Sequence, residues 1–388
     1  VETAVYVHVP YCATKCHYCD FLSFPLSQSS LAPGEYLACL EKELSLRGRE
    51  LAAGGYQVTT VYIGGGTPTV LAAAELDRLL CSCSRHLPLV SPEWTVEANP
   101  GTLDPEKAAV LSRHGVTRVS LGVQDLDRNR LALLGRNCTA DDARRAFVLC
   151  RENFAVVAVD LLAGLPLQRP CDFTVTLTAV LEWRPQHLSL YSLKTEEGTP
   201  LAAAVASGEV LLPGEDETAE MLTAARELLT VAGYVHYEIA NFAQPGHACR
   251  HNLVYWQNKP YLGVGLGAHS YWRGKRLVNA QSLPVYAGLL DRGLLPAAEE
   301  LTVTEREAME NTMILGLRLL EGVDLDGFTA RHGCDARLVF SAELARLKDF
   351  GLISYDFKRV KLTAKGINLA NEVFAEFISV AGNLDKTQ

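Results

Sequence analysis

The stretch VHVPYCATKCHYCDF, from Val7 to Phe21, places Cys12, Cys16 and Cys19 within eight residues, with three residues between the first pair and two between the second. A disulfide reading needs partners and an oxidising compartment. A structural zinc site normally takes four ligands, and no second cysteine pair follows at the usual spacing. Three closely spaced thiols can hold three corners of an iron–sulfur cluster and leave the fourth iron open. A free-thiol loop or a zinc knuckle is the plainer alternative, so the rest of the chain has to decide.

The chain has 388 residues, 48% of them hydrophobic and 21% charged, the balance of a soluble globular protein with two or three domains or one large barrel and an appendage. A core of that size needs no disulfide staples. The other cysteines among the eleven are scattered without framework spacing and read as small buried apolar residues in a reducing, cytoplasmic interior. The opening VETAVYVHVP has neither the basic start and apolar core of a secretion signal nor the character of a transit peptide, although no Met begins the chain and a presequence removed before it stays open. No run approaches the ~20 apolar residues of a spanning helix. A net charge of -9 without a long basic run argues against wholesale nucleic-acid binding. The expected partner is a small molecule or a protein.

Working outward from the cysteines, short β-branched runs recur: AVYVHV, TTVYIGG, WTVEAN, RVSLGV, VVAVDLL and HLSLYSL. Amphipathic stretches such as AAAELDRLLCSCSRHL, DPEKAAVLSRHG and ADDARRAFVLCREN separate them. Strands alternating with helices predict a parallel sheet, open or curled into a partial barrel. Polar or glycine residues follow the strand ends: Gly64 to Thr67, Glu97 with Asn99, Gln124 with Asp125, and Asp160. Ligands of parallel sheets bind at that edge. Beyond Leu294 the pattern turns helical, and ELARLKDFGLISYDFKRVKLTAKGINLANEVFAEF reads helix, two short strands around a turn, and helix. That order predicts a small winged-helix-like appendage, with packing or lid duty favoured over DNA binding because DFKRVK is only a modest basic patch.

CxxxCxxC after a first strand and GGGTPT after the second resemble the radical S-adenosylmethionine (SAM) superfamily. Together, YVHVPYC, YIGGGTPT, EANP, SLGVQ and DLLAGLP resemble its oxygen-independent coproporphyrinogen III oxidase-like family, over nearly the whole chain. The resemblance implies a partial (β/α)6 barrel over residues 1–235, a barrel-closing segment over 236–295 and a C-terminal helical, winged-helix-like domain over 296–388. It implies that Cys12, Cys16 and Cys19 hold a 4Fe-4S cluster whose open iron is chelated by SAM. Tyr18 takes the aromatic position near adenine, and Gly65, Gly66 and Thr67 the site for the methionine end of SAM. Glu97 fits the acidic position, suited to a ribose hydroxyl or an ammonium group, and Tyr6 a position that reaches SAM. Gln124, Arg136 and Asp160 match positions lining a second SAM-like pocket, with an Arg136–Asp160 structural bridge as the alternative. YLGVGLGAHSYW resembles the segment that closes the SAM site, with Ala268 or His269 contributing.

Two departures choose a branch. The oxidases follow the third cysteine with Gly-Cys, where this chain has Asp20 and Phe21, and they carry a longer extension before the first strand. Both features are similar to the HemW-like heme-chaperone branch, as is CRHNLVYW, whose His251, Asn252, Tyr255 and Trp256 match HNxxYW. A neutral His251 imidazole suits heme iron, Cys249 is the alternative thiolate, and Tyr255 and Trp256 suit packing on a porphyrin. The bland reading of His251 is a hydrogen-bonded structural residue. The resemblance therefore implies a chaperone that binds heme and passes it to an acceptor protein, with an electron donor for the cluster. It leaves room for a homo-oligomer and for peripheral membrane contact through the acceptor. Coproporphyrinogen oxidation, the rival reading, is not expected, and a radical enzyme acting on another small molecule is the second rival.

Overall fold

The structure is a computed structural model, and it describes residues 1–378; residues 379–388 of the expected C-terminal domain lie outside the described residues. The chain divides into two compact units. The first comprises 1–235, 240–251 and 260–301; the second comprises 236–239, 252–259 and the chain from 302 onward.

All six expected strands form in the first unit: β1 (Glu2–Val9), β2 (Gln57–Gly65), β3 (Leu89–Ala98), β4 (Arg118–Gln124), β5 (Val156–Ala163) and β6 (His187–Ser192). Each pairs in parallel with the next, so spatial order follows chain order. A crossover helix precedes each return: α1 (Pro33–Ala53), α2 (Ala73–His86), α3 (Pro105–Arg113), α4 (Ala140–Asn153) and α5 (Pro170–Trp183). The segment read only as closing the site proves to be sheet. Tyr261–Val264 pairs in parallel with the free side of β1, and the hairpin His269–Trp272 with Lys275–Asn279 extends that edge. On the opposite side, Asn241–Ala243 adds an antiparallel strand to β6. The polypeptide thus forms a sequentially ordered partial barrel.

Period-two alternation explains why the two faces differ. Val5, Val7, Val61, Ile63, Val96, Val119, Leu121, Val157, Val159 and Leu188 are buried on one face with the helices. The other face carries Tyr6 and His8 of β1, Thr60, Tyr62 and Gly64 of β2, and Glu93, Thr95 and Glu97 of β3. Arg118, Ser120, Asp160, His187 and Ser189 continue it. A parallel sheet normally runs apolar on both sides. A polar inner face needs another reason, and the site supplies one.

Helix ends are fixed locally. Asp104 accepts the Lys107 amide at the start of α3, ahead of Pro105 at its first turn, and Thr139 with Asp142 forms a reciprocal capping box on α4. Such caps contribute about 1 kcal/mol each.

The second unit has its own core, built on Met313, Leu317, Phe328, Phe340, Leu344, Leu347, Ile353, Val360 and Phe374. Helices Glu305–Gly316, Leu325–His332 and Ser341–Asp349 precede a hairpin of Ile353–Tyr355 and Arg359–Leu362. A short strand, Val323–Asp324, makes the hairpin a three-stranded wing.

Candidate functional site

The cysteine loop leaves β1 at Pro10 and is stitched down at both ends. The Thr67 amide donates to Tyr11 O and the Gly66 amide to Val9 O, at 2.7 and 2.8 Å. Further on, the His17 amide donates to Leu134 O at 3.0 Å, and its ring Nδ1 pairs with Leu133 O at 3.0 Å. Gly135 has φ +73° and faces the His17 ring, where a Cβ would come within 2.9 Å. Loop 133–136 therefore supports the loop bearing Cys16 and Cys19.

Cys12 is buried and Cys16 and Cys19 are half-buried; all three are free thiols. A tetrahedral zinc ion draws its thiolates to roughly 4 Å from one another. Among the described residues, the only three metal-ligating side chains whose atoms all fall within 4.8 Å are Asp77, Cys81 and His114. The three loop thiols do not all fall within that distance of one another. Burial raises the Cys12 and Cys19 thiols above their ordinary value. A counter-charge is already present: Arg136 Nη1 donates to Cys16 Sγ at 3.5 Å, and Nη2 to Gly122 O at 2.6 Å. The Thr67 hydroxyl faces Cys12 Sγ at 3.9 Å. Tyr18, half-buried, lies against Arg136. Gln124 adopts φ +70° and turns toward the same place, since a Cβ on Gly122 would meet Gln124 Nε2 at 3.1 Å and Arg136 Nη2 at 3.8 Å.

The glycine turn shows why side chains are excluded. Gly65 has φ +112°, and a Cβ there would sit 2.5 Å from the His8 ring; one on Gly66 would sit 2.4 Å from Tyr11 O. His8 cannot yield easily, because Nδ1 pairs with the Tyr6 hydroxyl at 3.0 Å and Nε2 with Leu22 O at 2.8 Å. The Glu97 carboxylate accepts from the Gly65 amide at 3.2 Å and from the Tyr62 hydroxyl at 2.9 Å. Burial, with the Asp160 charge adding to it, lifts Glu97 to about 7. Asp160 is also raised by burial, against hydrogen bonds from Ser189 and Ser120. Asp160 and Arg136 do not pair: the Ser120 hydroxyl donates to Asp160 at 3.0 Å, while Arg136 is engaged by Cys16 and Gly122. The alternative structural bridge is absent.

Cys12, Cys16, Cys19, Tyr18, Gly65, Gly66, Thr67, Glu97, Gln124, Arg136 and Asp160 thus lie at or near one sheet edge, with Tyr6 joined through His8 and Tyr62. Ala268 lies in the turn that follows Tyr261–Val264 beside that edge, where a Cβ on Gly265 would meet His8 O at 2.8 Å and one on Gly267 the Leu22 side chain at 2.3 Å; its amide donates to Gly265 O and its carbonyl accepts from Asn279, and His269 beside it is exposed.

His251 is 1% exposed, with Nδ1 2.8 Å from the Thr60 hydroxyl and its ring centroid 5.2 Å from that of Tyr62. Burial lowers its pKa to about 3, so the ring is neutral. Glu93 accepts the amides of Arg250 and His251 at 2.8 and 3.3 Å, and the Cys249 thiol lies 3.7 Å from the same oxygen. Tyr255 and Trp256, on the same helix, Arg250–Trp256, belong to the second unit and are half-buried, with the Arg318 guanidinium 4.2 Å from the Trp256 ring centroid.

Tyr62, His8, Thr60 and Glu93 are not singled out from the sequence. Alternation along TTVYIGG was the available signal, because it places Thr60 and Tyr62 on the face that ends at Gly64.

Residues 6–179 match the radical SAM superfamily, and residues 303–369 match the HemN C-terminal domain. The chain is 35% identical to the heme chaperone HemW of Bacillus subtilis, over 97% of this chain and 99% of that one. It is 36% identical to the heme chaperone HemW of Mycobacterium tuberculosis, over 95% and 93%. Its fold is similar to that of the Escherichia coli coproporphyrinogen III oxidase HemN, a radical SAM enzyme, with a TM-score of 0.84 and 24% identity, over 97% of this chain and 90% of that one.

Proposed function

This chain belongs to the HemW family within the radical SAM superfamily, and from that premise we propose that it is a heme chaperone, binding heme and passing it to an acceptor protein. The observation that carries the reading is 35% identity, over 97% of this chain, with a protein named as a heme chaperone, joined to Asp20 and Phe21 in place of the oxidases' Gly-Cys.

In this reading Cys12, Cys16 and Cys19 hold a 4Fe-4S cluster and SAM occupies the edge formed by Gly65, Gly66, Thr67 and Glu97. When bound, the cluster supplies single-electron reduction of SAM. The chain's own contribution is placement and charge. Arg136 places a guanidinium donor on Cys16 Sγ, beside the proposed cluster. Gly65 and Gly66 let backbone approach the ligand. Tyr62 and the Gly65 amide orient the Glu97 carboxylate, whose pKa near 7 leaves it part-ionised at neutral pH. Gln124, Arg136 and Asp160 offer a further polar wall beside it.

Heme contact is assigned to the segment Cys249–Trp256. Tyr255 and Trp256 offer ring faces for the porphyrin. The neutral His251 imidazole is the candidate iron ligand, and its enclosure means that the ring must be uncovered before iron reaches it. An electron donor for the cluster and a heme acceptor are the partners this function needs, and the cytoplasm is the proposed location. Among the described residues no helix is long and apolar enough to cross a membrane.

The test is a heme titration of anaerobically reconstituted protein, run beside an assay for protoporphyrinogen formed from coproporphyrinogen III. Tight heme binding without turnover is the expected result. Stoichiometric conversion of the porphyrinogen would overturn the chaperone reading.

A further inference from the structure

Asp77 and Cys81 stand four residues apart on α2, hence on one face of that helix, and His114 follows the last turn of the neighbouring α3. Asp77 Oδ1 lies 2.7 Å from His114 Nε2, and Cys81 Sγ lies 4.0 Å from the same nitrogen. All three ligand atoms fall within 4.8 Å of one another.

That both groups approach one nitrogen decides what the cluster can be. A nucleophile relay needs the carboxylate on one ring nitrogen and the thiol on the other, so that a proton can pass along the line. Here Nε2 cannot donate to the carboxylate and accept from the thiol at once. Three lone-pair-bearing atoms facing one point share a cation, either a proton or a metal ion.

We propose that Asp77, Cys81 and His114 form a second metal site, separate from the cluster loop, for a borderline divalent ion of the Zn2+ class. An imidazole, a thiolate and a carboxylate are the donor set such ions take, and three protein ligands leave a fourth position for water. Bonds of about 2.0 to 2.3 Å space the ligands of a tetrahedral zinc roughly 3.3 to 3.8 Å apart. The observed separations bracket that range, and small side-chain rotations bring both into it. The Asp77 side chain is 40% exposed and that of His114 15%, so an ion and its water can enter from solvent. One competitor is present. Arg113 Nη2 sits 2.6 Å from Asp77 Oδ1, in an exposed pair that contributes little and can be displaced.

The experiment uses the full chain with its cluster reconstituted anaerobically, so that Cys12, Cys16 and Cys19 are occupied. Zn2+ is titrated in competition with a chromophoric chelator, and zinc-edge X-ray absorption reads the ligands. One Zn2+ per chain is expected, with a single sulfur among nitrogen and oxygen ligands. Cys81→Ser and His114→Gln should each weaken binding by roughly a hundredfold, with iron content and circular dichroism unchanged. Arg113→Ala should tighten it several-fold, because Asp77 is released. Absence of a bound equivalent would mean that His114 and Asp77 share only a proton, and the site falls. Unchanged affinity in His114→Gln, or a spectrum with three sulfurs, would equally overturn it.

Discussion

The edge that bears the cysteines and the helix Arg250–Trp256 are both announced by short motifs, yet they are built on different principles. At the edge the motif residues are required by backbone and by thiol chemistry. Gly65 is where a side chain would strike His8, Gly66 is where one would strike Tyr11 O, and the cysteines hang from a loop sewn to two others. On the helix the motif consists of side chains that also serve the core. His251 is tied to Thr60, and its amide is held by Glu93. A motif of the first kind has few uses; one of the second kind can be kept for packing or for ligands. The comparison teaches that spacing names a site most securely where ordinary packing would not tolerate the residues.

The sharpest way to break this contrast is Cys16→Ala. Anaerobic reconstitution should then yield none of the broad iron–sulfur absorbance of the wild type, and Cys12→Ala and Cys19→Ala should behave alike. Normal iron and sulfide content in Cys16→Ala would detach the loop from the cluster altogether.

Gly65→Val comes next. Its φ of +112° and the fixed His8 ring predict a strain of about 1–3 kcal/mol, read as a lower denaturation midpoint. SAM affinity by equilibrium dialysis should fall beyond detection while the cluster still assembles. Retained affinity would show that the turn serves folding alone.

For the helix, His251→Ala removes a buried ring and its bond to Thr60, an expected loss of about 2–3 kcal/mol of stability. It should also shift the heme absorption band, whereas Trp256→Ala should weaken heme binding by roughly tenfold with little shift, through lost ring contact. A destabilised His251→Ala protein whose heme band is unmoved would assign that histidine to packing only.

The smallest effect concerns pH. Glu97 is raised from the ordinary carboxylate value to about 7, so the folded protein holds a proton that the unfolded chain has released. The raised acid therefore favours folding below the usual glutamate range, and that contribution is lost as pH rises toward 7. Urea denaturation of cluster-free protein should show stability falling steadily over that window. Glu97→Gln should flatten the slope. An unchanged slope would locate the titrating group elsewhere.

Much of this was legible beforehand. Six strands were visible because β-branched runs alternate with amphipathic ones, and the wing was visible because FGLISYDFKRVKLT breaks at Asp356 and Phe357. Tyr261–Val264 was not recognised as a strand. Four residues with two glycines close by carry little β signal, and only the open side of β1 gives them a partner. Glu43 was equally hidden. Within α1 it reads as one more helix glutamate, yet it is fully buried, accepting from Tyr286, Asn279 and the Gly265 amide. Partners so far along the chain leave no local trace. Tyr62 escaped notice because an aromatic in a strand is ordinary, and only the register beside Glu97 distinguishes it.

The parallel pairing of β1 with Tyr261–Val264 has a consequence for how the protein comes into being. The other parallel strand pairs join neighbours in the chain, whereas this one bridges the sequence, with the Thr3 hydroxyl donating to Pro260 O across 257 residues. Contacts so distant bear the largest closure entropy and form late. On the ribosome, the three cysteines emerge well before Tyr261, and a nascent chain that ends before Tyr261 can flank their strand on one side only. A strand made before the other five is thus the last to be completed, and the loop it carries matures on the schedule of a segment that follows all six.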